Sequence, residues 1–80
     1  MKNFKWSVIS VIPTDNYELI LKFASNETKT FDFKPLLDDE KNKMFRDINF
    51  FKKAHVEFDS VAWNDSTDID PKYLYDNSKL

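Results

Sequence analysis

Eighty residues allow one domain, and a chain this short hides only about 60% of the surface that its unfolded form exposes, so the core is small. Twelve basic and fourteen acidic side chains leave a formal charge of −2, which disfavours a nonspecific phosphate binder. The chain has no Cys, which excludes disulfides, thiolate metal sites and a Cys nucleophile, and no Gly, which excludes a Walker loop, a dinucleotide fingerprint and a Gly-flanked nucleophile elbow.

Hydrophobic residues make up 41% of the chain and aromatic residues 16%, with eight Phe, three Tyr and two Trp. Each large ring buries roughly 150–250 Å², so a few rings compensate for the short chain and the sequence reads as globular. A secreted domain of this size would usually carry disulfides, so a cytoplasmic location is expected. The start, Met1 to Trp6, has no apolar stretch of the signal-peptide kind, and no run approaches the roughly 20 apolar residues of a membrane helix. Turns that need a positive φ are expected at Asn or Asp, because no Gly is available.

In chain order, Trp6 to Ile12 reads as a strand, and Val8, Ile9, Val11 and Ile12 place apolar groups on both faces, as in a central strand. Pro13 to Asn16 is a turn cluster. Tyr17 to Phe23 alternates, with Tyr17, Leu19, Leu21 and Phe23 on one face. After a turn over Ala24 to Glu27, Thr28 to Phe33 predicts a third strand with Phe31 and Phe33 inward, completing an antiparallel meander. Pro35 closes that sheet, and the charged stretch Asp38 to Lys43 reads as a loop. Asp47 caps a short helix over Ile48 to Ala54. Val56 to Phe58 and Val61 to Trp63 predict a hairpin turning at Asp59-Ser60, followed by a polar loop over Asn64 to Thr67. Asp70-Pro71 starts a final helix, packed down by Tyr73, Leu74 and Tyr75, and Asp76 to Leu80 should fray. The expected fold is a single α+β domain over residues 1–80: a small antiparallel sheet, made of a three-stranded meander plus a hairpin, packed with one or two short helices.

No group of residues reads as catalytic, cofactor-binding or metal-binding. His55, the sole histidine, stands beside no nucleophile motif and reads as a junction residue rather than a general base. Asp65, Asp68 and Asp70 offer oxygen ligands for a cation, but the EF-hand Gly and closing Glu are missing, so turn and cap chemistry is the expectation. Asp38, Asp39 and Glu40 beside Lys41 and Lys43 read as a solvated charged face. Glu57 and Asp59 have the residue type of paired glycosidase carboxylates but no visible sugar cleft. Lys2 to Trp6 mixes basic and aromatic groups, as single-strand binders do, and core aromatics beside edge lysines explain the same residues.

The segments Phe50 to Phe58, Val61-Ala62-Trp63 and Asp68 to Tyr75, with Val8 to Val11 and Phe31 to Leu37 before them, together resemble the bacterial family called "domain of unknown function 2442". The resemblance covers nearly the whole chain. Family members often carry Pro-Asn-Gly after the Trp, where this chain has Asn64-Asp65-Ser66, and a Gly before the Val-x-Trp strand, where it has Asp59. The resemblance implies a small α+β fold and brings no activity. Such proteins are often encoded beside another small protein, which implies one half of a toxin–antitoxin-like pair.

The leading expectation is therefore a protein-interaction module without catalytic activity or cofactor, an antitoxin-like partner. The expected interaction residues are Trp6, Trp63, Asp65, Asp68, Asp70, Tyr73 and Tyr75. A protein partner is expected, a homodimer is the alternative, and nucleic acid and membrane are disfavoured. Two other functions stand beside it. One is a small phage-type, anti-CRISPR-like inhibitor of a nucleic-acid enzyme, acting through acidic residues. The other is a cation-dependent enzyme.

Overall fold

The alternation of Leu19, Leu21 and Phe23 makes one face of a strand wholly apolar, and that strand becomes the centre of the first sheet. A computed structural model describes residues 4–64 and 67–80. Strands β1 (Val8–Pro13), β2 (Glu18–Phe23) and β3 (Thr28–Asp32) form an antiparallel sheet in the order β1-β2-β3. A second antiparallel sheet follows in the order β4 (His55–Glu57), β5 (Ser60–Asn64) and β6 (Thr67–Ile69). Between the sheets the chain winds through two 3-10 helices, Lys34–Asp38 and Glu40–Arg46, and the short helix α1 (Ile48–Phe51). Helix α2 (Pro71–Asn77) ends the fold. This is the expected α+β class, with the expected hairpin extended by one more strand.

Strand β1 is an edge strand, not a central one. A bulge between Val8 and Ser10 shifts the side-chain phase, so Val8 and Val11 both face inward opposite Phe23 and Leu21. Ile12 pairs with Ile20 on the outer face, and Ile9 and Ile12 are both more than half exposed. The apolar residues on both faces thus reflect a bulge rather than double burial. Pro13 ends this edge strand, where a missing donor costs little.

The charged stretch expected as a loop is mostly the second 3-10 helix. The Asp39 carboxylate accepts from the Lys41 backbone N–H at 3.1 Å, which starts that helix, and Phe45 is buried from it. Asp47 caps α1 as expected, accepting from the Asn49 N–H at 3.0 Å, but the helix ends at Phe51 rather than Ala54. The hairpin turns at Phe58-Asp59, not Asp59-Ser60, because Glu57 pairs with Ser60 across the ladder. Ser60 belongs to the strand: it is buried and donates its hydroxyl to the Ile69 carbonyl.

Asp70 caps α2, accepting from the Lys72 N–H at 3.1 Å, with Pro71 opening the helix. Its C-terminus does not fray as expected. Thr30 donates to the Lys79 carbonyl at 2.7 Å and Lys79 donates to the Thr30 carbonyl at 2.9 Å, which closes the outer edge of β3. Tyr75 holds the helix on the first sheet. Its ring meets Phe23 edge-on at 5.0 Å, Lys29 Nζ lies 3.7 Å from its centroid, and its hydroxyl donates to Glu27.

The core is a ring cluster centred on Phe33, which is almost fully buried. Its ring lies 4.8 Å from Phe45, 5.3 Å from Phe51 and 5.8 Å from Trp63. The Trp63 indole donates to the Phe51 carbonyl at 2.8 Å, so the polar atom of the largest core side chain is satisfied.

Two outcomes are expected. Phe33→Ala should cost about 3–5 kcal/mol in urea unfolding, a large part of the roughly 4–12 kcal/mol typical of a chain this size. Phe33→Leu should cost clearly less, and equal losses would show that the ring contacts contribute little. The second concerns acid. The Tyr75 hydroxyl, then the Ser25 hydroxyl, hold the Glu27 carboxyl below its ordinary range. That contribution is complete above the ordinary Glu range and is lost as pH falls through the lowered value. Tyr75→Phe should therefore unfold at a higher pH than wild type in an acid titration read by tryptophan fluorescence. Coincident titrations would refute the linkage.

Candidate interaction surface

Glu57 and Ser60 pair directly, which leaves Phe58 and Asp59 as a two-residue loop. Both have positive φ, 53° and 67°, the geometry of a type I′ turn. Such turns favour Asn-Gly, because a Cβ in the left-handed region costs roughly 1–2 kcal/mol. Asp59 tolerates it. Phe58 does not belong there on local grounds.

Four non-Gly residues among those described have positive φ: Tyr17, Asn26, Phe58 and Asp59. The expectation that Asn and Asp would fill these positions holds for Asn26 and Asp59 and fails for the two aromatics. Tyr17 is compensated, since its ring lies 4.9 Å from Phe51 and its hydroxyl donates to the Arg46 carbonyl at 2.5 Å. Phe58 is 92% exposed, and its ring meets no other ring among the described residues. The loop is nonetheless held: the Asp59 carbonyl accepts from the Val8 N–H at 2.9 Å. A large apolar ring therefore stands in solvent on a hairpin tip tied to β1 by that bond.

Acidic residues lie beside it. Strand β4 lies beside β1, which carries the exposed Ile9 and Ile12. A shallow hollow of about 90 Å³ is lined by Glu57, Phe58, Ala62, Asn64 and Asp68. Asp59 and Asp68 are exposed, and neither carboxylate has an ion-pair or hydrogen-bond partner among the described residues. Glu57 faces the His55 Nε2 at 3.0 Å.

The expected interaction residues are scattered by the fold. Trp63 is buried in the core, Asp70 caps α2, and Tyr75 fastens α2 to the sheet, so these three side chains are occupied by the fold itself. Trp6 is half-buried and stacks on Phe4 at 4.6 Å. Tyr73 is 40% exposed and leans on Phe31 at 5.9 Å. Asp68 reaches the hollow beside Phe58. Asp65 lies outside the described residues, as do Lys2 and Asn3 of the basic-aromatic start. Asp68, Tyr73 and the edge of Trp63 also line a larger cleft of about 390 Å³, with Met44, Phe45 and Ile69.

Among the described residues no group of three His, Asp or Glu is placed to hold a metal ion. No helix among them is long and apolar enough to cross a membrane. Asp39 and Glu40 pair with Lys41 and Arg46 at 3.8 and 3.6 Å on an exposed face, as the sequence suggested for that segment. Phe58 is the feature that sequence reading missed. Its signal was an aromatic residue next to Asp59 at the point where two strand patterns meet.

His55 faces acceptors on both sides: the Lys53 carbonyl lies 3.0 Å from Nδ1, and the Glu57 carboxylate 3.0 Å from Nε2. Only the imidazolium donates at both nitrogens. The Lys53 carbonyl first, then Glu57, therefore raise the His55 pKa above its ordinary value. The sign follows from linkage: the contact supports the fold below the ordinary His range and is lost as pH rises through the raised value. An NMR titration should find the His55 midpoint above that of an unstructured peptide, and Glu57→Gln should lower it. An unchanged midpoint in that variant would refute the pairing.

No curated protein and no solved structure matches the chain. A family model does, over residues 8–79, from the first residue of β1 to the residue that closes the edge of β3. The chain belongs to the family described as "Protein of unknown function (DUF2442)".

Proposed function

We propose that this chain is a protein-interaction module without catalytic chemistry, an antitoxin-like partner that presents the β4–β5 hairpin tip to another protein. The observation that carries this reading is Phe58: a bulky ring, 92% exposed, at a backbone φ of 53° that its residue type disfavours. Local conflict of this kind without a compensating contact in the fold is a mark of a functional position. Aromatic side chains, Phe among them, are enriched at the cores of protein interfaces. The adjoining strand β1 carries two further exposed apolar side chains, Ile9 and Ile12. The reducing cytoplasm suits a domain that has no Cys to staple it.

Phe58→Asn separates folding from recognition, because Asn accepts the left-handed region. Relief of about 1 kcal/mol should raise the melting temperature by about 4–8 °C. In parallel pull-downs from the native host, wild type should retain a partner at near-equal amount and Phe58→Asn should lose it. Equal retention by the stabilised variant would overturn the reading. The partner's identity distinguishes an antitoxin-like role from inhibition of a nucleic-acid enzyme.

A further inference from the structure

The geometry points to the chemistry of the partner's surface: we propose that Phe58 enters an apolar hole ringed by Lys or Arg side chains, with Asp59 and Asp68 meeting that ring. This rests on the interaction-module reading and adds the charge of the partner to it. Phe58 shares its hollow with Glu57 and Asp68, and Asp59 is its neighbour in the turn. The carboxylates of Asp59 and Asp68 are exposed and have no cation among the described residues. Elsewhere among the described residues Asp15, Asp32, Asp39, Glu40 and Asp76 each sit within 4.0 Å of a Lys or Arg nitrogen, while Glu18 and Asp38 do not. The basic groups of the same hairpin are Lys53 and His55 at the base of β4, and His55 is turned to Glu57.

Charge left unpaired around an exposed ring has a recognisable use. It steers encounter with an oppositely charged face and penalises an acidic one, while the ring supplies the desolvated contact that slows departure. The two parts therefore act on different rates. Removing the carboxylates should slow association, and removing the ring should speed dissociation. A backbone position that tolerates Asn lets the charge at Asp59 be removed without a cost in φ.

The test uses the partner retained by the wild-type chain, with association and dissociation rates measured between about 50 and 500 mM NaCl. Wild-type association should fall about tenfold or more across that range. The double variant Asp59→Asn, Asp68→Asn, confirmed folded by its melting temperature, should associate about tenfold more slowly at low salt and show little salt dependence. Phe58→Asn should dissociate faster at every salt concentration. If the double variant matches wild type throughout while Phe58→Asn loses the partner, the basic ring is refuted and the interaction-module reading stands. If Phe58→Asn binds as wild type does, or if wild type retains no partner, both fall.

Discussion

The contact on which the rest of this structure depends is the insertion of Phe33 among Phe45, Phe51 and Trp63. Phe33 follows the last residue of β3, and its ring touches a 3-10 helix, α1 and β5. Each of these elements is short. Helix α1 has four residues and would not persist in water by its own hydrogen bonds. What fixes the segment between the sheets is the burial of its rings against Phe33 and the bond from the Trp63 indole to the Phe51 carbonyl. An eighty-residue chain without disulfides builds its core this way because rings deliver the most buried area per residue.

The absence of Gly is the second constraint, and it shows where the sequence has chosen stability and where it has not. Positive φ is needed at Asn26 and Asp59, which tolerate it, and at Tyr17, where a ring contact and a hydrogen bond from its hydroxyl to the Arg46 carbonyl offset the cost. The fold thus solves three of the four left-handed positions among the described residues by residue choice or by packing. Edges are managed with similar economy. Lys79 covers β3, while β1 is bent by its bulge and ends on a proline.

The meander was legible because its pattern is strong and local: Leu19, Leu21 and Phe23 face inward in the register that their alternation predicts. The caps at Asp47 and Asp70 were legible for the same reason. The edge position of β1 was not, since a bulge at Ile9 moves Val8 and Val11 to one face and no residue type announces it. Strand β6 is three residues long, below the length at which alternation can be seen. The 3-10 helix over Glu40–Arg46 carries five charged or amide side chains, which read as loop until Phe45 is seen to be buried. The candidate interaction residues were chosen by type, and type does not distinguish a Trp that anchors a partner from one that fills a core. Trp63 and Tyr75 went to the core and to the helix clamp because the small domain needs its rings there.

Phe58 and Tyr17 share a backbone state and differ in what they receive for it. The Tyr17 phenol and ring are both engaged by the fold, so the conformational cost is offset in the free protein. The Phe58 ring is 92% exposed and meets no other ring among the described residues, yet the loop that carries it is tied to β1 through the Asp59 carbonyl. The tie fixes the backbone of the tip and leaves the exposed side chain free to rotate, so on the proposed reading the ordering cost of binding would be confined to that side chain. Selection for stability alone would place Asn at this turn, as it does at Asn26. An exposed ring at a tied hairpin tip, with the Asp59 and Asp68 carboxylates uncompensated among the described residues, is the local conflict on which the proposed interaction reading rests.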